Sequence, residues 1–405
     1  MLYFIACCFL STVNCKLYRG GVLMKQVMVV AGEASGDMHA AKVIEELKQL
    51  NPELEFFGMG GQQMAEAGVD ILYDPTELSV IGFWESLKHI GLMYKILNKL
   101  ERAIKEREPD VVLLVDFSGF NLKMAKRTAK LDVPTVNYFA PSAWVWGTWR
   151  AKKMAKYGVK IASVFPMEEE VYREVGADVE FVGHPLVDMV STDLNPAEFK
   201  EEFNLATAQR TIGLLPGSRQ QEIDSLLEPM LGAAELIAAQ YPDSQFLLPV
   251  ADTISETEIA DIVADYDLNI KLIPSHSYEV MEAADLLLST SGTATLEAAF
   301  FATPMVIIYK TSWLSYTVGK LVIKIPYVGL PNIIAEEKIV PELLQGAANS
   351  QEIAKQALNI LDSSTQQQEI EAGLKQVKEK LGTSGAVHRV AKLVLKTGGM
   401  MNEIC

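Results

Sequence analysis

Two short loops bring glycine, carboxylate and guanidinium together where chemistry is possible. Ala31-Gly32-Glu33-Ala34-Ser35-Gly36-Asp37 follows the apolar run 27–30, and Leu215-Pro216-Gly217-Ser218-Arg219 follows 211–214. Each reads as a strand, a tight glycine turn and then a helical pattern. That arrangement leaves backbone N–H groups and a helix N-terminus at the edge of a parallel sheet, where an anion can sit. Glu33 lies in the first turn itself, at the edge where open α/β sheets bind ligands. Asp37 or Ser35 can instead cap a helix over 38–50. Arg219 offers a permanently charged fork that matches phosphate oxygens beside the amides of Gly217 and Ser218.

Two further stretches have the same character. Asp116 follows Val-Val-Leu-Leu-Val at 111–115 and opens the run Asp116-Phe117-Ser118-Gly119-Phe120-Asn121. A carboxylate is costly to bury unpaired, so Asp116 is expected at the strand's end, in a cleft, as a general base. Its alternative is to cap a helix starting near Asn121. Ser291-Gly292-Thr293 follows the apolar run 286–289 and leads into a helix containing Glu297. Hydroxyls and amides there suit phosphate, and Glu297 can accept from ribose hydroxyls or simply complement the helix dipole.

The elements that must position these loops alternate in type. Strands are expected at 26–30, 55–58, 111–115, 135–138, 160–165 and 179–182, then at 211–215, 245–248, 270–273, 286–289 and 306–309. Several are continuous Val/Ile/Leu runs, as in strands buried on both faces. Helical patterns between them imply right-handed βαβ units and two parallel-sheet α/β domains, with a boundary in the polar stretch 188–196. The expected division is 24–190 and 191–350, with helices over 351–405 packing back across the interface. That last segment is also compatible with a homo-oligomer.

Composition narrows the function. The 405 residues carry a net charge of −16, with 22% charged and 49% hydrophobic residues. An acidic chain of this kind is a poor non-specific nucleic-acid binder. Its cysteines are Cys7, Cys8, Cys15 and Cys405, and its five histidines show no ligand-type spacing. Neither a disulfide framework nor a thiolate or H-E-x-x-H metal site is expected in the body. Within residues 1–23 the apolar run Leu2–Leu10 is only about half the length a spanning helix needs, and the segment is read as an upstream start-site extension or a weak tether.

Against that acidic background, 80–107 reads as one basic amphipathic helix. Lys88, Lys95, Lys99, Arg102, Lys105 and Arg107 face only Glu85, Glu101 and Glu106. Phe83, Trp84 and Leu87 belong to its apolar face, which suits an anionic membrane surface or simply a core. Trp144, Trp146 and Trp149 cluster ahead of Arg150, Lys152 and Lys153, as an apolar substrate entrance or as core packing.

Together these stretches resemble the lipid-A-disaccharide synthase family. The resemblance is carried by AGEASGD (31–37), DFSGFN (116–121), APSAWVW (140–146), FPMEEEVY (165–172), GHP (183–185), LPGSR (215–219), SGTATLE (291–297) and YVGLPNIIA (327–335). One departure is Ser118, where the family pattern has proline. The resemblance implies a GT-B glycosyltransferase, two Rossmann-like domains facing a central cleft. It implies transfer from UDP-2,3-diacylglucosamine to 2,3-diacylglucosamine 1-phosphate. The products would be a β(1→6) disaccharide 1-phosphate and UDP, with inversion and with no cofactor or metal. It places such an enzyme on the cytoplasmic face of the inner membrane, in Gram-negative lipopolysaccharide synthesis. In that reading Asp116 is the base, with Glu33 its rival or helper. Arg219, Gly217, Ser218, Ser291, Gly292 and Thr293 stabilise UDP, and Glu297 and Asn332 hold nucleotide or sugar. A UDP-sugar epimerase or hydrolase, or a non-catalytic nucleotide-sugar binder, remains the alternative from the residues alone.

Overall fold

Residues of β3 (Gln26–Ala31) divide by parity: Val27, Val29 and Ala31 enter one core, Met28 and Val30 another. The same division splits Val111, Leu113 and Val115 from Val112 and Leu114 in β6 (Val111–Val115). A strand with apolar side chains on both faces must be covered on both. The computed structural model describes residues 18–19, 22–23, 25–75, 86–206, 209–311 and 326–400, with side chains excepted at 18–19, 22–23, 86–90 and 146.

Within these residues, β1 (Tyr18–Arg19) pairs antiparallel with β2 (Val22–Leu23). The first unit then runs β3, α1 (Ala34–Leu50), β4 (Glu55–Met59), α2 (Gln62–Glu66), β5 (Asp70–Tyr73), α3 (Ser86–Arg107), β6 and α4 (Ser118–Lys130). It continues with β7 (Thr135–Tyr138), α5 (Ala143–Trp146), α6 (Trp149–Lys156), β8 (Lys160–Ser163), α7 (Pro166–Glu174) and β9 (Val179–Phe181). Its strands form one sheet in the order β5-β4-β3-β6-β7-β8-β9, each adjacent pair parallel.

The second unit follows α8 (Leu186–Met189) and α9 (Pro196–Glu202). It runs β10 (Thr211–Leu215), α10 (Gln220–Gln240), β11 (Gln245–Val250), α11 (Glu256–Val263), β12 (Ile270–Pro274), α12 (Ser277–Ala283), β13 (Leu286–Thr290), α13 (Thr293–Phe301), β14 (Met305–Tyr309), α14 (Leu330–Ala335) and β15 (Glu342–Leu344). Its parallel sheet has the order β12-β11-β10-β13-β14-β15. The expected pair of doubly wound units is present. In each, the order reverses between two central strands, β3/β6 and β10/β13. A ligand crevice opens at such a switch point, beyond the carboxyl ends of the strands.

The chain passes between units around Gly183-His184-Pro185: Val182 belongs to the first core and Leu186 to the second. This crossing lies a few residues ahead of the polar stretch 188–196. It returns near Leu381. Helices α15 (Ser350–Leu361) and α16 (Ser364–Lys380) pack on the second core, whereas α17 (Ala386–Thr397) sets Val390, Leu393 and Val394 into the first. The two crossings are stapled together. Asp188 accepts from Gly385 N at 2.9 Å and Ala386 N at 3.1 Å, capping α17. Arg389 donates to Val182 O at 2.8 Å.

Several expected boundaries move. α1 begins at Ala34, four residues before the expected 38, so Asp37 lies inside its first turn. Buried Asp37 accepts from Gly61 N (2.7 Å), Gln63 N (3.0 Å) and Met64 N (3.2 Å), satisfying the N-terminus of α2 instead of its own helix. The described part of the basic helix begins at Ser86. Phe83 and Trp84 lie outside the described residues, as do the side chains of Leu87 and Trp146.

Candidate active site

The first crevice is built where β3 and β6 end. Ser35 Oγ in the first turn of α1 donates to Asp116 Oδ2 at 3.3 Å, and Asp116 Oδ1 accepts from its neighbour Phe117 N at 2.8 Å. Asp116 and Phe117 are both left-handed, at φ 49° and 52°. Two consecutive non-glycine residues in that region cost about 1–2 kcal/mol each. The surrounding contacts hold them there. Asp116 N donates to Tyr138 O at 3.1 Å, Asn121 Nδ2 bonds Asp116 O, and the Phe117 ring stacks on Phe120 at 5.4 Å. Gly32 is obligatory beneath that ring, because a Cβ there would lie 2.1 Å from Phe117 Cδ1. Ser118, the departure from the proline pattern, is the first residue of α4. Proline suits that position because its missing N–H has no intrahelical partner, and serine leaves the same helix start intact.

Glu33 is exposed at the rim of this crevice. Its carboxyl is held above the usual range, first by desolvation and then by the negative charge of Asp116; Arg219 pulls the other way. Arg219 belongs to the second unit. Its charge reaches Glu33 across the gap between the units.

The second crevice opens between β10 and β13 as a cleft of about 540 Å³. Gly217, Ser218 and Arg219 line one side; Ser291, Gly292, Thr293 and Glu297 line the other. The sequence assigns all seven to nucleotide binding, and the fold brings them into one cavity. Gly292 is the N-cap of α13 and offers no side-chain cap; Thr295 N bonds Gly292 O at 3.2 Å, and Thr293 and Ala294, the first two residues of the helix, line the cleft. Ser291 Oγ donates to Val328 O at 3.3 Å. Glu297 receives a bond from Tyr278 Oη at 3.4 Å, and desolvation holds its carboxyl above the ordinary value while that hydroxyl pulls it down. The Arg219 side chain, 81% exposed, pairs with Glu222 Oε1 at 3.0 Å.

Asn332 does not reach the cleft. It is fully buried, and its amide is spent inside the protein. Nδ2 donates to Val340 O and Glu342 Oε1 at 2.9 and 2.8 Å, and Oδ1 accepts from Ile339 N and Val340 N at 2.9 and 3.0 Å. All four of its hydrogen-bonding positions are occupied. Its expected role in holding nucleotide or sugar is replaced by one in shaping the turn after α14. Trp144 is half-buried, edge-on to Phe165 at 6.4 Å, with its indole N–H buried and unpaired.

Sequence reasoning missed Glu222, Tyr278, Asp252 and Ser275, all at or beside the cleft. Glu222 carried a readable signal: an acid three residues after a helix N-cap. Tyr278 and Ser275 carried none, because only the strand order brings the β12–α12 turn alongside α13.

The layer of helices outside the β3–β6 side of the first sheet is strongly basic. α3, α4 and α6 insert Leu97, Met124 and Met154 into one core. They carry six, four and four Lys/Arg respectively against two Glu, so 14 of the chain's 36 cations sit on three adjacent helices. Glu169, Glu170 and Glu174 lie on α7, the fourth helix of that layer. Trp149 is 48% exposed on α6, with Arg150 and Lys153 over its ring at 5.2 and 4.6 Å. Among the described residues no helix is long and apolar enough to cross a membrane.

Comparison with known proteins bears on this geometry. The chain matches the family model described as lipid-A-disaccharide synthetase over residues 27–395. It is 41% identical to a lipid-A-disaccharide synthase of Geobacter metallireducens, over 93% of this chain and 98% of that one. Among solved structures, a putative UDP-N-acetylglucosamine 2-epimerase from Listeria monocytogenes superposes with a TM-score of 0.63 at 15% identity, covering 93% and 97% of the two chains. The calicheamicin glycosyltransferase CalG4 superposes with a TM-score of 0.58 at 13% identity, covering 93% and 99%. These two share the fold. The chain therefore belongs to the lipid-A-disaccharide synthetase family, glycosyltransferases that make the lipid A disaccharide.

Proposed function

We propose that the chain transfers the sugar of UDP-2,3-diacylglucosamine to 2,3-diacylglucosamine 1-phosphate with inversion. The observation that carries this reading is the pairing of two switch-point crevices of opposite chemistry. One presents the carboxylates Asp116 and Glu33; the other presents Arg219 and the open N-terminus of α13. The first suits a hydroxyl that must lose a proton, the second a departing diphosphate.

In this reading Asp116 takes the proton of the acceptor's 6-hydroxyl as that oxygen forms its bond to the anomeric carbon. The bond from that carbon to the diphosphate breaks on the opposite face, and the electron pair leaves with UDP. Arg219 and the Ser291-Gly292-Thr293 turn stabilise the developing charge, as a preorganised cation and helix dipole can. Glu297 accepts from the ribose. Glu33, with its raised proton affinity, orients the acceptor beside Asp116. Both substrates carry acyl chains, and the basic helices α3, α4 and α6 suit peripheral contact with an anionic membrane.

The test is a mass-spectrometric assay with both lipid substrates and a chelator present. Disaccharide 1-phosphate and UDP should form in equal amounts. UDP release without disaccharide would show a hydrolase or another acceptor, and dependence on added metal would overturn the metal-free reading.

A further inference from the structure

Two helix N-termini face the second crevice, and they differ in one respect. That of α13 has no side-chain cap. That of α10 is filled by a carboxylate of its own chain. Glu222 Oε2 accepts from Ser218 N at 3.0 Å and from Arg219 N at 3.3 Å, while Oε1 accepts from Arg219 Nη1 at 3.0 Å. The carboxylate is folded back over the loop so closely that a Cβ on Gly217, itself at φ 121°, would lie 2.2 Å from Oε2. Glu222, with Arg219 and Thr290, lines both the 540 Å³ cleft and a second cavity of about 810 Å³. Two amides and a guanidinium converging on one anionic group make up a phosphate site. Here that site already holds an anion.

We propose that Glu222 is a built-in stand-in for a phosphate group, which a nucleoside diphosphate must displace from Arg219 and the loop amides. The inference rests on the reading of this cleft as the UDP site. Two anions cannot share the same three donors. Bound diphosphate therefore takes Arg219 over and turns the Glu222 carboxylate out toward solvent or the second cavity. When the diphosphate departs, Glu222 returns and satisfies the loop. The device opposes diphosphate in particular, because uridine alone brings no charge to these donors. It sets a ceiling on product affinity and keeps an exposed arginine paired between turnovers.

Calorimetric titration of the full chain with UDP and with uridine tests this. Glu222→Gln keeps an oxygen for the amides but removes the charge. UDP should then bind roughly tenfold more tightly, while uridine binding stays as in the wild type. Should Glu222→Gln fold poorly, Glu222→Ala supplies a second readout: UDP should raise its melting temperature more than it raises that of the wild type. UDP affinity unchanged or weakened in folded Glu222→Gln overturns the proposal and leaves Glu222 a helix cap. Tightening of UDP and uridine alike also overturns it, since that would be a change of loop shape. A wild-type protein that binds neither ligand overturns the nucleotide reading of the cleft, and this inference with it.

Discussion

Ser35 Oγ donates to Asp116 Oδ2 at 3.3 Å, tying the first turn of α1 to the loop after β6 across 81 positions of sequence. With Phe117 N on the other oxygen, the carboxylate is held at both ends, just beyond the carboxyl end of β6. Rigidity of this kind favours a general base, which must meet its proton in one geometry.

Asp116→Ala should therefore lower kcat by about 10²- to 10⁴-fold with UDP binding preserved. Glu33→Gln separates the two carboxyls. A loss within about tenfold assigns Glu33 to orientation, whereas a loss as large as that of Asp116→Ala makes Glu33 the base. Steady-state kinetics beside calorimetric UDP binding decides between them.

The two walls of the second cleft should respond differently. Arg219→Ala should weaken UDP binding by about tenfold or more, with little change for uridine, since only UDP carries the charge it meets. Glu297→Ala should weaken UDP and uridine together, because both present the ribose. Equal effects of the two variants on both ligands would remove the assignment of Arg219 to phosphate and Glu297 to ribose.

Stability should peak near pH 6.5 as far as two buried groups and one half-buried group decide it. Burial lifts Glu168 from 4.5 to about 8, so the folded protein holds a proton that the unfolded chain releases above 4.5. Its contribution is full below 4.5 and is lost as pH rises through 8. Burial lowers His184 from 6.5 to about 3 and His39 to about 4. They stay neutral in the folded state, so their contribution is full above 6.5 and is lost as pH falls toward 4 and 3. Glu168→Gln should flatten the fall in melting temperature above pH 6.5, steepen the rise between 4.5 and 6.5, and leave the slope below 4.5 unchanged. An unchanged alkaline limb would mean that Glu168 does not carry that proton.

The basic helices should govern membrane contact. Lys152→Glu with Lys153→Glu should reduce co-sedimentation with phosphatidylglycerol-containing vesicles. Each lost cation is worth about 1 kcal/mol near an anionic surface, and raised salt should have the same effect. Co-sedimentation unaffected by either would return α6 to an ordinary solvated helix.

Legibility in the sequence followed the range of the interactions. The strand–glycine–helix junctions at 31–37, 215–219 and 291–297 were readable because glycine, apolar runs and helix starts act within a few residues. Short edge strands were not: β5 (Asp70–Tyr73) is half-buried and β15 (Glu342–Leu344) has three residues, and neither shows a continuous apolar run. α1 starts earlier than propensity suggests, and its first turn lies close against the Asp116 loop: Ser35 bonds Asp116, and a Cβ added at Gly36 would lie 3.4 Å from Asp116 Cβ. Tertiary contact there outweighs the poor helix preference of serine and glycine.

Local patterns in the chain were enough for the two parallel-sheet units, the loops that carry chemistry and, with the wider set of motifs, the family. Which loops share a crevice depended on the folded arrangement, because strand order joins β3 to β6 and β10 to β13 across long crossovers that no local pattern records. The same step moved Asn332 into the interior, turned Asp37 into a cap for a neighbouring helix and set Glu222 on the donors meant for an anion. A polar side chain's partners depend on what the fold brings within hydrogen-bond distance, and its residue type fixes only what it has to offer.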